Sequence, residues 1–184
     1  MGEIMLTTDR NYFLKAERIG FSKWQHSDIK LAELLWGNPE VTQLICASGT
    51  FSKADIVKRL NQELDNDAAY QVQYWPIFQL ISHELIGCCG LRPHTGPAKK
   101  EYEIGFHLRP EFWGQGYAWE AASAVIDYAF TVLKADKLFA GHHPGNAASQ
   151  WLLVKLGFTY VEDKFYEPTG LYHPSYELNN PECA

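Results

Sequence analysis

The 184-residue chain has no repeat, no low-complexity run and no internal linker, so it reads as one domain over residues 1–184. It lacks an uninterrupted apolar run long enough to cross a bilayer. Its opening stretch, MGEIMLTTDR, has no basic region followed by an apolar one, so no secretory signal is expected. Its cysteines, Cys46, Cys88, Cys89 and Cys183, form no C-x-x-C pair, which argues against a disulfide framework. Reduced thiols suit a soluble, cytoplasmic protein. Positive charge is not in excess: 16 Lys and Arg stand against 22 Asp and Glu, a formal net charge of -6. No nucleic-acid partner is therefore expected, and no membrane partner. The acidic balance is compatible with a cationic substrate, although solubility alone accounts for it. Histidines occur at 83, 94, 107 and as the pair 142–143, but without ligand spacing, so no metal is expected.

Apolar residues are abundant, at 46%, and aromatics reach 14%, enough for a sizeable core and for pocket walls. Residues 13–24 (FLKAERIGFSKW) alternate as a strand. HSDIKLAELLWGNPE follows as a helix, capped by Ser27 or Asp28 and ended by Gly37 and Pro39. Residues 52–65 predict a second helix, with Ser52 as cap and Ile56, Leu60 and Leu64 on one face. YQVQYWPIFQLI and ELIGCCGLR read as paired strands, with Cys88 and Cys89 on opposite faces. LRPHTGPAKK, residues 91–100, reads as a surface connection. Residues 101–109 form another strand. Tyr102, Ile104, Phe106 and Leu108 share one face; Glu101, Glu103, Gly105 and His107 share the other.

A long helix follows, with Ala118, Ala121, Ala122, Val125, Ile126, Ala129 and Leu133 at helical spacing. Residues 137–143 are a strand, GNAASQWLLVKLGF is a helix ending at Gly157, and TYVEDKFYE and HPSYEL are closing strands. The order predicts an α+β, or mixed α/β, fold.

Gly114 and Gly116 flank one glutamine directly before the long helix. The first N–H groups of a helix have no internal partner, and the helix dipole adds positive potential. Side chains at 114 and 116 would keep an anion from those groups. A tight turn that needs glycine dihedrals explains the pair equally well. The third glycine of a dinucleotide-binding G-x-G-x-x-G is absent, Trp119 standing in its place, and no G-K-S/T run occurs. A nucleotide-phosphate enzyme of those folds is disfavoured.

IGFHLRPEFWGQGYAWEAA, followed at a distance by NAASQWLLVKLGF, resembles the GNAT family of acyl-CoA-dependent N-acetyltransferases. ERIGFSKW and GNPEVTQLI extend the resemblance over nearly the whole chain, toward its ribosomal-protein N-terminal (RimJ/RimL-like) branch. The resemblance implies a central, mostly antiparallel sheet with one splayed strand pair, flanked by helices. It implies acetyl-CoA as co-substrate, an amine acceptor (a peptide N-terminus or a small amine), no metal, and compatibility with a homodimer. The turn Trp113, Gly114, Gln115, Gly116, Tyr117, Ala118 should hold the coenzyme A diphosphate. The strand end Phe106, His107, Leu108 should pair with the pantetheine arm. Asn146 and Ser149 should lie beside that arm.

Acetyl transfer needs a neutral amine and benefits from a proton for the leaving thiolate. Glu103 is the candidate base, with a solvated strand carboxylate as its plain alternative and Glu101 as a second candidate. The family tyrosine that protonates the thiolate is replaced by Leu153, so Ser149 is the candidate acid; as plain alternative, its hydroxyl only satisfies the helix start. Tyr166, Tyr172 and His173 either line the acceptor pocket or serve ordinary packing. The alternative to an enzyme is a non-catalytic acyl-CoA-binding module of the same fold.

Overall fold

The computed structural model describes residues 10–94 and 100–183. The stretch before Arg10, the middle of the 91–100 connection and the Cys183 thiol lie outside the described residues. The strands are β1 (Leu14–Lys15), β2 (Ile19–Phe21), β3 (Tyr74–Gln79), β4 (Leu85–Pro93), β5 (Glu101–Leu108), β6 (Lys137–Gly141), β7 (Thr159–Tyr166) and β8 (Leu171–Asn179). The helices are α1 (Ile29–Trp36), α2 (Pro39–Thr42), α3 (Lys53–Tyr70), α4 (Tyr117–Thr131) and α5 (Ala147–Lys155). One eight-stranded sheet runs in the order β1-β2-β3-β4-β5-β6-β8-β7. Its neighbours are antiparallel except β5 and β6, which are parallel. This is the mixed α/β, mostly antiparallel architecture expected.

Both faces of the sheet are covered. On one, Ile104 and Leu108 of β5 pack with Ala121, Ala122, Val125 and Ala129 of α4. Those small residues let the helix approach the strands closely. On the other, Tyr74 and Cys88 pack with Leu35 and Trp36 of α1 and Ile56 and Leu60 of α3. Cys88 and Cys89 fall into opposite clusters, as alternation requires.

Three details differ from the sequence reading. Residues 13–24 do not form one strand: Ala16 N–H donates to the Ile19 carbonyl at 2.9 Å, and the chain turns back as a hairpin. The reversal lays the Tyr12 ring on Gly20, where a Cβ would meet ring carbons at 2.6 Å. Alternation alone cannot distinguish one strand from two. Asp28 does not cap α1 with its side chain; the buried carboxylate accepts from Gln25 N–H at 2.9 Å and pairs with Arg10. The helix from Ser52 runs beyond residue 65 to Tyr70, because LDNDAAY holds no breaker, and ends at Gln71 in the left-handed region. Its capping box joins Ser52 to Asp55.

One cross-strand row shapes the α3 face. Tyr74, Gly90 and Gly105 are direct neighbours on β3, β4 and β5. The missing side chains let the Tyr74 ring lie across the row. A Cβ at Gly105 would stand 2.3 Å from Tyr74 Cζ. Gly105→Ala should therefore cost about 1–3 kcal/mol, as overpacked core sites do. Urea unfolding checks it; an unchanged midpoint would mean that the ring moves aside freely.

Candidate active site

β5 and β6 are joined only at their beginnings. Glu101, Tyr102 and Glu103 register with Lys137, Leu138 and Phe139, and no pair follows. β5 meanwhile stays paired to β4 as far as Leu108. Arg109 N–H donates to the Ile86 carbonyl at 2.9 Å, so the alternating ladder turns the backbone groups of His107, Gly105 and Glu103 toward β4. Those of Phe106 and the Leu108 N–H face the gap beyond the last β6 pair, the Leu108 carbonyl being taken by the Trp113 indole. Unpaired strand groups beside a gap are a template for an extended ligand. Of the three consecutive residues read as ligand-pairing, Phe106 and Leu108 have this orientation. The His107 backbone is used by β4.

After β6, Asn146 caps α5: its Oδ1 accepts from Ser149 N–H at 3.0 Å. The cap uses the backbone of Ser149 and leaves its hydroxyl out. Leu153, at the family tyrosine position, is buried in the core.

After β5 the chain makes the glycine turn. Gly114 has φ 69° and Gly116 φ 82°, values that favour glycine, so the requirement for special dihedrals holds. The anion reading is compatible with it: a Cβ at Gly114 would meet nothing within 4 Å, and one at Gly116 would meet Arg18 Nη2 at 3.5 Å. Trp113 donates through Nε1 to the Leu108 carbonyl at 2.8 Å, tying the turn to the strand end. Tyr117 is buried, with its hydroxyl held by Gln79 Nε2 at 2.7 Å, so only its backbone faces the turn. Farther along, Lys155 lies between the exposed rings of Trp119 and Trp151. A cavity of about 380 Å³ opens there, lined among others by Trp119, Ser123 and Lys155. Neither Glu103 nor Ser149 lines it.

On the opposite side of β5, Glu103 Oε1 accepts from the Tyr74 hydroxyl at 2.7 Å. Burial, then the Glu103 charge, hold Tyr74 well above its ordinary pKa, so it remains a donor. The fully buried Glu63 takes Arg59 Nε at 2.9 Å and Tyr74 N–H at 2.8 Å, and pairs with Arg92. The Arg92 guanidinium sits 4.2 Å from the Tyr74 ring centre. Trp36 Nε1 lies 3.2 Å from His107 Nδ1; an indole only donates, so the neutral imidazole carries its proton on Nε2. Burial, then Arg59 and Arg92, hold His107 well below its ordinary value. Burial pushes the neighbouring Cys88 thiol up to about 12.

Glu103 and the phosphate-turn candidates therefore lie along one strand and its continuation, while Asn146 and Ser149 stand at the start of α5. The family model described as an acetyltransferase (GNAT) domain matches residues 18–159. The chain belongs to the GNAT acetyltransferase family. It is 32% identical over 151 residues to the uncharacterized N-acetyltransferase p20 of Bacillus licheniformis, covering 79% of this chain and 81% of that protein. A GNAT-family acetyltransferase from Bacillus anthracis shares the fold with a TM-score of 0.75 at 23% identity, over 91% of this chain and 98% of that one. Mycobacterium smegmatis RimJ, in complex with CoA-disulfide, matches with a TM-score of 0.75 at 15% identity, over 89% and 83% of the two chains. This acetyltransferase thus belongs to a family that uses acetyl-CoA for N-acetylation.

Sequence reading missed Tyr74, Arg92 and the buried Glu63. Glu63 was hidden because it occurs in a helix with ample exposed charge. The Tyr74 contact had a faint signal in the glycines at 90 and 105. Tyr166 and Tyr172 are exposed on the terminal hairpin, Tyr166 beside the His173 ring at 5.1 Å and Tyr172 beside Phe165 at 5.3 Å, while His173 is half-buried and meets the His143 ring at 5.6 Å. Among the described residues, no group of His, Cys, Asp and Glu could hold a metal ion.

His107 makes stability depend on pH. The unfolded chain takes a proton at this residue below about pH 6.5, whereas the folded chain does not. Stability is present above that pH and is lost as pH falls, by up to about 1.4 kcal/mol per unit. Urea midpoints between pH 7.5 and 5.5 should fall more steeply for wild type than for His107→Gln. Parallel slopes would contradict a buried neutral imidazole.

Proposed function

We propose that this acetyltransferase moves the acetyl group of acetyl-CoA to a primary amine, on a protein N-terminus or a small molecule, by direct attack on the thioester. The observation that carries the reading is the place of Glu103. It is the last β5 residue paired with β6, where the two strands part, and its carboxylate is held by a buried tyrosine. In this reading the pantetheine arm pairs with the gap-facing groups of Phe106 and Leu108. The diphosphate sits on the turn from Trp113 to Ala118, and Asn146 lies beside the arm.

Glu103 accepts a proton from the amine, directly or through water. The amine nitrogen bonds to the carbonyl carbon, and the C–S bond breaks. A backbone N–H near Leu108 stabilises the oxyanion. Leu153 cannot protonate the thiolate, so the Ser149 hydroxyl or water does. The whole chain, residues 1–184, acts as one cytoplasmic acetyltransferase domain of the RimJ/RimL-like branch, without metal. The edge strand β7 supports a homodimer: Tyr160, Phe165 and Tyr166 are exposed along it.

Release of free thiol from acetyl-CoA with peptide and small-amine acceptors tests the reading. No turnover with any amine, beside normal coenzyme A affinity, would favour a non-catalytic binding module. Glu103→Gln should lower turnover by about 10²–10⁴-fold with coenzyme A affinity nearly constant. The loss should shrink at high pH and be smaller for an α-amine (pKa about 7.7–8.0) than for a lysine amine (about 10.4). Equal pH–rate profiles would remove Glu103 as base. Gly116→Val should weaken coenzyme A binding in a folded protein, and unchanged calorimetric affinity would remove the turn from the site.

A further inference from the structure

Arg18 reaches the glycine turn from about 100 residues away in sequence. Its carbonyl accepts from Leu80 N–H at 2.9 Å, fixing its backbone at the end of β3. Its own N–H donates to Glu120 Oε1 at 2.6 Å, and its Nε to Glu120 Oε2 at 2.7 Å. Its Nη1 donates to the Gln115 carbonyl at 3.1 Å. The guanidinium lies 4.2 Å from the centre of the Tyr117 ring. A Cβ on Gly116 would stand 3.5 Å from Arg18 Nη2. One side chain thus touches the turn's backbone, its glycine and the first turn of α4.

Two consequences follow from elementary geometry and charge. In a trans peptide the C=O and the N–H point in opposite directions. Holding the Gln115 carbonyl therefore aims the Gly116 N–H away from Arg18, toward the open side of the turn. Gly116, lacking a Cβ, offers little resistance to a flip of this peptide. A flipped peptide would present a carbonyl where an anion needs a donor. The second consequence concerns Glu120, a carboxylate in the first turn of α4. Left unpaired there, it would compete for the helix dipole and repel a diphosphate. Arg18 engages both of its oxygens.

We propose that Arg18 is a positioning residue for the diphosphate of the acyl-CoA, orienting the Gly116 amide and neutralising Glu120 at the mouth of the turn. The proposal rests on the reading that this turn holds the diphosphate.

The test uses the full chain and calorimetry with two probes, coenzyme A and pantetheine, which lacks the diphosphate. Arg18→Ala should weaken coenzyme A binding by about 10- to 100-fold, the range for losing hydrogen bonds from a charged group. Pantetheine should bind wild type and variant equally. Adding Glu120→Gln to Arg18→Ala should recover part of the coenzyme A affinity, because the unpaired charge is gone. Should Arg18→Ala fail to fold, Arg18→Lys, which keeps the charge but not the fork, is held to the same contrast between probes. Unchanged coenzyme A affinity, or an equal loss for both probes, would overturn the role. A folded wild type that binds neither probe would instead reject the turn as a diphosphate site, and the assignment of Arg18 with it.

Discussion

The parting of β5 from β6 after Glu103 is the constraint on which the rest of the structure depends. Three registered pairs hold the two strands together, and then the ladder ends. β5 keeps its other neighbour to Leu108, so it remains in the sheet while one edge is open. An open edge inside a sheet is costly unless something pairs with it. The same strand then leads, through the tie between Trp113 and Leu108, into the glycine turn and α4. The open edge and the helix start are thus parts of one continuous support. A ligand with an extended amide arm and an anionic end matches both at once.

The face of β5 toward α3 carries a second constraint. Glu63 is fully buried yet charged in its contacts, with two arginines and a backbone donor around it. Such groups are expensive to bury, and removing one partner costs more than the pair contributes. Their arrangement fixes Arg92 and Tyr74, and Tyr74 fixes Glu103. The glycines at 90 and 105 are the space this arrangement requires. A carboxylate at the strand junction is thereby held in one geometry by a support three residues deep.

Much of this was legible in the sequence. Period-two alternation from 101 to 109 put Ile104 and Leu108 on one face, where they join the α4 cluster, and Glu103 and His107 on the other, where they meet Tyr74 and Trp36 of the α3 cluster. Gly114 and Gly116 showed as a turn because only glycine takes those dihedrals readily. Gly157 ends α5 with φ 89°, and Phe158 packs behind it. What was not legible depends on long-range contact. No local pattern says that Arg18 meets Glu120, that Asp28 turns to Arg10, or that Glu63 is buried while Asp65, two residues on, is exposed. The hairpin at Ala16 escaped because both arms alternate as one strand would. The backbone phase of β5 needed the register with β4, which the sequence does not state.

The central claim is that β5 offers an unpaired edge to the coenzyme. Hydrogen exchange of individual backbone amides, with and without coenzyme A, tests it most directly. The account expects slowed exchange at the N–H groups of Phe106 and Leu108 and along Gly114 to Ala118, with His107 already protected by β4 and little changed. Protection confined to other segments, or none at Phe106 and Leu108 while coenzyme A is bound, would contradict it.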